Sequence, residues 1–214
     1  MNIVFQNVDY CRKKFALQEI LFEVREGYIT ALVGKNGSGK TTLFHMLLDQ
    51  KADYKGTILA DGMDWRQNRT KLLNKVGFVS DEQKFFMERS AFENAEMLQY
   101  LYDQFSMEIF QEHINRMVVP VGSLLKNMSR GEYIKYQLAF AAAHYSQLYL
   151  LDEATAGMDV VFKKDFFRML HELLVDEHCA VLMSTHILDD IKKHMDYIVQ
   201  IEDGRIISQY EVGA

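Results

Sequence analysis

Apolar positions in this chain follow two rhythms, and the order of those rhythms sets out an architecture. Short continuous or alternating runs predict strands at Ile3-Val4-Phe5, Ile20 to Val24, Tyr28 to Val33 and Val76 to Val79. Between the last two, Leu43, Phe44, Met46, Leu47 and Leu48 recur at three- and four-residue spacing, which predicts a helix. From about residue 85 to 143 the pattern is helical and rich in aromatics and methionines. Strand and helix then alternate again, with a strand at Leu148 to Leu151, a helix from about Val160 and a strand at Ala180 to Ser184. Two short strands, Tyr197 to Ile201 and Arg205 to Ile207, flank the turn Glu202-Asp203-Gly204. This alternation predicts an α/β fold. We expect one domain over residues 1–214, with a strand-rich core at about 1–84 and 144–214 and a helical subdomain inserted at about 85–143. No linker flanks the insertion, so it reads as a subdomain and not as an independent domain.

The loop after Val33 carries the first chemistry. It reads Gly34-Lys35-Asn36-Gly37-Ser38-Gly39-Lys40-Thr41-Thr42 and matches the pattern G-x-x-x-x-G-K-[ST] through Gly34, Gly39, Lys40 and Thr41. The strand before it and the helix after it are the context that a phosphate-binding P-loop requires. Glycines let successive backbone N–H groups turn inward around phosphate oxygens, and the helix N-terminus adds positive potential there. Lys40 is expected to reach the β- and γ-phosphates, and Thr41 to hold Mg²⁺. The core is therefore read as that of a P-loop NTPase.

Three further clusters gain meaning from that loop. The apolar strand Leu148 to Leu151 ends in Asp152 and Glu153, and strand C-termini in a parallel sheet are where ligands collect. Asp152 suits a Mg²⁺ role, and Glu153 suits a base or water-orienting role opposite the γ-phosphate. His186 follows another apolar run, Ala180 to Met183, at the expected end of a neighbouring strand, although such a histidine is more often a surface or capping residue. Ser129 and Glu132 in Met128-Ser129-Arg130-Gly131-Glu132 have the spacing of a helix capping box, and a capped helix start can also bind a phosphate.

Composition narrows the setting. A net charge of −6 argues against a nucleic-acid binder held by a broad basic surface. No apolar run approaches the roughly 18–20 residues that span a bilayer, and the first residues do not read as a signal peptide. Cys11 and Cys179 form no metal-binding spacing, which suits a reduced, cytosolic compartment.

Taken together, these motifs resemble the ATP-binding subunits of ABC transporters over essentially the full chain. The P-loop is similar to their Walker A, Leu148 to Asp152 with Glu153 to their Walker B and catalytic glutamate, and residues 128–132 to their signature motif. Ala156-Gly157-Met158-Asp159 resembles the D-loop, His186 the switch histidine and Tyr10 the aromatic that stacks on adenine. Lys35 and Ala154 replace frequent prolines, and Arg130 replaces a signature glycine while Ser129 and Gly131 remain. At the Q-loop, ungapped alignment puts Asp81 in the glutamine position, with Gln83 as the alternative if the loop is shifted.

The resemblance implies ATP and Mg²⁺ as ligands, with Thr41, Asp152 and Asp81 around the metal. Glu153, His186, Asp81 and Asp159 then belong to the catalytic group. It also implies a homodimer or heterodimer of such subunits, in which Ser129, Arg130, Gly131 and Glu132 meet the ATP held by the partner. A separate transmembrane permease would hold the pair at the inner face of the cell membrane. Phe85, Phe86, Met87 and Phe92 read equally as a groove for that permease or as core. The signature and the acidic Q-loop are most similar to drug and antimicrobial-peptide exporters. A soluble ABC-type ATPase and a low-turnover regulator are the rival readings.

Overall fold

The computed structural model describes residues 1–12, 15–49, 51–82, 85–186 and 192–213. Gln83 lies outside the described residues. Two sheets and the helices around them make up the regular structure of the described residues. The first half supplies β1 (Ile3–Arg12), β2 (Phe15–Val24), β3 (Ile29–Val33), α1 (Lys40–Leu48), β4 (Tyr54–Ala60), β5 (Met63–Asp64), α2 (Arg69–Leu73) and β6 (Val76–Val79). The helical stretch is α3 (Ala91–Leu98), α4 (Met107–Arg116) and α5 (Arg130–Ala143). The remainder is β7 (Leu148–Asp152), α6 (Val160–Glu177), β8 (Ala180–Thr185), β9 (Tyr197–Glu202) and β10 (Arg205–Glu211).

One sheet is antiparallel in the order β2-β1-β4-β5, and the other runs β10-β9-β3-β8-β7-β6. In the second sheet β9, β3, β8, β7 and β6 are mutually parallel, and β10 closes the edge antiparallel to β9. Parallel strands must be covered on both faces, and their side chains divide accordingly. Ala31, Tyr149, Leu151, Val181 and Met183 face a core shared with α5 and α6, while Leu32, Leu148, Leu150 and Leu182 face one shared with α1, β1 and β2. This is the α/β organisation expected of a P-loop NTPase, with the strand-rich N-terminal region and the inserted helices.

The hairpin β4–β5 has no counterpart in the sequence-based expectation. Its turn is Asp61-Gly62, both with positive φ (48° and 79°), the conformation that Asp-Gly supplies in a two-residue hairpin. β1 and β2 are each ten residues long, well beyond the apolar runs that announced them. Register shifts in β1 on either side of Val8 and positive φ at Asn7 and Glu19 (49° and 52°) break the alternation.

Candidate nucleotide site

Four neighbouring parallel strands, β6, β7, β8 and β3, end at one edge of the sheet, where ligands bind in open α/β folds. β3 runs into the P-loop, and α1 begins at Lys40 with Gly39 as N-cap at φ 117°, a conformation open to glycine alone. Gly34 is needed for a different reason. A Cβ there would lie 2.3 Å from the Ile201 carbonyl oxygen and 2.4 Å from Ser38 Oγ, so only glycine lets the loop pack against β9. The loop is tied from outside as well, because the N–H of Gly204 in the β9–β10 turn donates to the Ser38 carbonyl at 2.9 Å. The Gly204 carbonyl in turn accepts from the Gln18 N–H at 2.8 Å.

Lys40, 5% exposed, is folded back into this loop. Its ammonium donates to the Gly34 and Lys35 carbonyls at 2.7 and 3.2 Å and lies 3.3 Å from Glu153 Oε1. Glu153 Oε2 lies 2.8 Å from His186 Nδ1. Glu153 Oε1 and Ser38 Oγ are buried and have no hydrogen-bond partner among the described residues. Next to them runs a polar chain. The Glu153 N–H donates to Ser184 Oγ at 3.0 Å, that hydroxyl donates to Asp152 Oδ1 at 2.5 Å, and Thr41 Oγ1 donates to Asp152 Oδ2 at 2.9 Å. Residues at and just beyond the C-terminal ends of β3, β7 and β8 thus converge, while Lys35, Asn36 and Gly37 form the exposed lip of the loop. Ser184, which links Asp152 to Glu153, was passed over in the sequence because nothing local marks a buried strand serine as part of a site.

A hard cation fits Thr41 and Asp152, since a hydroxyl and a carboxylate oxygen converge there at the mouth of the P-loop. Among the described residues no group of three or more His, Cys, Asp or Glu side chains could hold a metal ion by itself. A cation at this position therefore needs phosphate oxygens or water to complete its shell.

The ABC transporter family model matches residues 17–156, more than half of the chain. The chain belongs to the ABC transporter family. It is 29% identical over 195 residues to the uncharacterized ABC transporter ATP-binding protein YdbJ of Bacillus subtilis (strain 168), covering 90% of this chain and 63% of that protein. It is 27% identical over 201 residues to the bacitracin transport ATP-binding protein BcrA of Bacillus licheniformis, covering 91% of this chain and 64% of that one. The chain thus spans just under two-thirds of the length of these curated relatives. Among solved structures, the dimeric bacterial ABC transporter cassette MJ0796 matches with a TM-score of 0.84 at 20% identity, over 99% of both chains, which establishes the fold.

The segment that resembles the ABC signature opens α5. Ser129 is its N-cap, with the reciprocal capping box expected from the sequence: Ser129 Oγ accepts from the Glu132 N–H, and the Glu132 carboxylate accepts from the Ser129 N–H at 2.7 Å and from its hydroxyl at 2.7 Å. The Ser129 hydroxyl and N–H together hold the Glu132 carboxyl below the usual carboxylate range. Arg130 and Gly131 follow in the first turn. In the segment that resembles the D-loop, Asp159 is the N-cap of α6 and accepts from the Phe162 N–H at 2.8 Å. Asp81 ends the β6 side of the edge with its carboxylate on Arg130, not on Thr41 or Asp152.

Two aromatic expectations are resolved by burial. Tyr10 is 8% exposed and turns from β1 into the core shared with β2 and α1, so its ring is not free to stack on a base. Phe15, half-buried at the start of β2, brings its ring edge to the P-loop, 3.1 Å from where a Cβ of Gly39 would be. The group Phe85 to Phe92 divides. Phe85 packs its ring against Tyr136 and Phe140 at centroid distances of 4.9 and 5.1 Å, whereas Phe86 and Phe92 are 51% and 36% exposed.

Proposed function

We propose that this chain is the ATP-binding and hydrolysing subunit of an ABC transporter, most similar to exporters. The reading rests on the carboxylate of Glu153 standing 3.3 Å from Lys40 at the P-loop, beside the Asp152–Thr41 pair. The P-loop amides and Lys40 hold the triphosphate, and Thr41 with Asp152 would hold Mg²⁺. When bound, the cation neutralises charge on the phosphate oxygens. Glu153 Oε1, which has no hydrogen-bond partner among the described residues, takes the proton of the attacking water. His186 steadies Glu153 through its other carboxylate oxygen. Phe15 is the aromatic placed to meet the base.

Association follows from what one subunit leaves open. The first-turn N–H groups of Arg130 and Gly131 at the start of α5 suit the phosphates of ATP held by a second subunit, and the Ser129 hydroxyl, bonded here to the Glu132 carboxylate, would turn to them on association. Val160 and Val161, beside the D-loop, are 82% and 73% exposed, and two such halves would cover them. No described helix is long and apolar enough to cross a membrane, and we read the membrane-crossing part of the transporter as a separate permease subunit. Exposed Phe86, Phe92 and Met97 offer it an apolar contact.

The test is association. Glu153→Gln protein should form dimers with ATP and Mg²⁺ on size-exclusion chromatography, and the tagged chain should copurify with a membrane protein. A chain that stays monomeric with ATP and sediments with ribosomes would overturn the proposal.

A further inference from the structure

The loop leaving β6 is gripped residue by residue by one face of α5. Gln137, 2% exposed, donates to the Ser80 carbonyl at 2.9 Å and accepts from the Ser80 N–H at 3.1 Å. Arg130 takes both oxygens of Asp81, Nε to Oδ1 at 2.6 Å and Nη2 to Oδ2 at 2.5 Å. The Tyr133 hydroxyl donates to the Glu82 carbonyl at 3.2 Å. Positions 130, 133 and 137 share one side of a helix, so the grip follows from helical spacing.

Arg130 also reaches in the other direction. Its Nη2 donates to the Glu153 carbonyl at 3.1 Å, and its Nη1 donates to the Ala156 carbonyl. Glu153 has φ 51°, a left-handed backbone that a non-glycine residue keeps only where its surroundings enforce it. The enforcement is visible on both sides, with Ser184 Oγ holding its N–H and Arg130 holding its carbonyl. The start of α5 has little freedom to drift, since a Cβ on Gly131 would come 2.8 Å from the ring of Phe162 in α6.

We propose that Arg130 is a positioning residue that acts within its own subunit, holding Glu153 in its working backbone conformation, and that Asp81 is its anchor. A planar guanidinium suits this task because its fork of donors serves a carboxylate and two carbonyls at once. An ammonium cannot span all three. The inference rests on Glu153 being the group that activates water.

The experiment compares Arg130→Gln, Arg130→Lys, Asp81→Asn and the double variant Asp81→Asn/Arg130→Gln in the full chain. It measures kcat, KM for ATP, nucleotide affinity and the Mg²⁺ dependence of turnover. Arg130→Gln should lower kcat about 10–10²-fold, the scale of a misplaced catalytic group, with KM and nucleotide affinity little changed. Arg130→Lys should recover part of that loss. The double variant should be no worse than Arg130→Gln, and added Mg²⁺ should not rescue Asp81→Asn.

Several results would overturn the proposal. Rescue of Asp81→Asn by Mg²⁺ would make Asp81 a metal ligand. Additive losses in the double variant would uncouple the pair. Unchanged kcat in Arg130→Gln, with ATP-driven dimerisation lost, would make Arg130 a contact to the partner's nucleotide. Arg130→Lys and Asp81→Asn decide the matter if Arg130→Gln fails to fold. Glu153→Gln is the control: if it keeps turnover, the assignment of Glu153 fails, whereas if it is inactive and Arg130→Gln is not, only the positioning role fails.

Discussion

Replacing Glu153 with glutamine should raise affinity for ATP while removing most of its hydrolysis. The Lys40 ammonium is shared between two carbonyls and Glu153 Oε1, at 2.7, 3.2 and 3.3 Å. An incoming phosphate has to draw Lys40 away from that carboxylate. The Lys40–Glu153 contact is an ion pair without hydrogen-bond geometry; exposed pairs contribute up to about 1 kcal/mol, and Glu153 is only 25% exposed, so solvent screens this one less and its contribution lies somewhat above that. Glutamine keeps the shape and a neutral acceptor, so only part of this is released. About 1.4 kcal/mol corresponds to tenfold in affinity, so tightening of less than about tenfold is expected. Turnover should fall about 10²–10⁴-fold, the usual contribution of a positioned base. Titration with a fluorescent ATP analogue gives the first quantity, and phosphate release gives the second. Unchanged or weaker binding would refute the competition for Lys40, and near-normal phosphate release would refute the role of Glu153.

Lys40→Ala should fail earlier, at nucleotide binding, and unchanged affinity for ATP with Mg²⁺ would contradict the P-loop assignment. Ser129→Ala should cost about 1 kcal/mol of stability through loss of the cap. It should also weaken ATP-driven dimerisation beyond that loss, which equilibrium denaturation and sedimentation together can separate. Phe15→Ala should weaken binding of ATP more than that of inorganic triphosphate, whereas Tyr10→Phe should leave both unchanged. His144 is 4% exposed and stacks on Tyr102 at 4.0 Å, and burial pushes its pKa down to about 4. Because the folded pKa lies below the unfolded value, its contribution is present above about pH 6.5 and is lost as pH falls toward 4. That amounts to roughly 3 kcal/mol, so His144→Gln should show a flatter decline of stability with acid than the parent, and parallel declines would count against the argument.

Much of the site was legible because its chemistry is local. The P-loop, the Asp152-Glu153 pair and the Ser129–Glu132 box are each written in a few consecutive residues, and their flanking apolar runs announce the strand or helix that carries them. What escaped depends on geometry that accumulates along a strand or between distant segments. Strict alternation from Ile3 and Phe5 would turn Tyr10 outward. The irregularity at Asn7 inserts a step, puts Val8 and Tyr10 on the buried side, and leaves Phe15 nearest the P-loop. Arg130 looked like a departure in the signature motif. Its partners Asp81, Glu153 and Ala156 come from two other loops, and no local pattern links them. The hairpin β4–β5 was readable from Asp61-Gly62, but its outer strand is too short and too polar to stand out.

The position of β3 bears on how the protein is made. Its two neighbours in the sheet, β8 and β9, begin at residues 180 and 197, and the turn that braces the P-loop at Ser38 centres on Gly204. A ribosome therefore finishes the P-loop sequence long before it delivers the strands that hold that loop in shape. Until then β3 has two unpaired edges, a state prone to pairing with other chains. Competence to bind ATP arrives only once the segments through Gly204 have been made, so occupancy of the site doubles as a report that the sheet around β3 has closed.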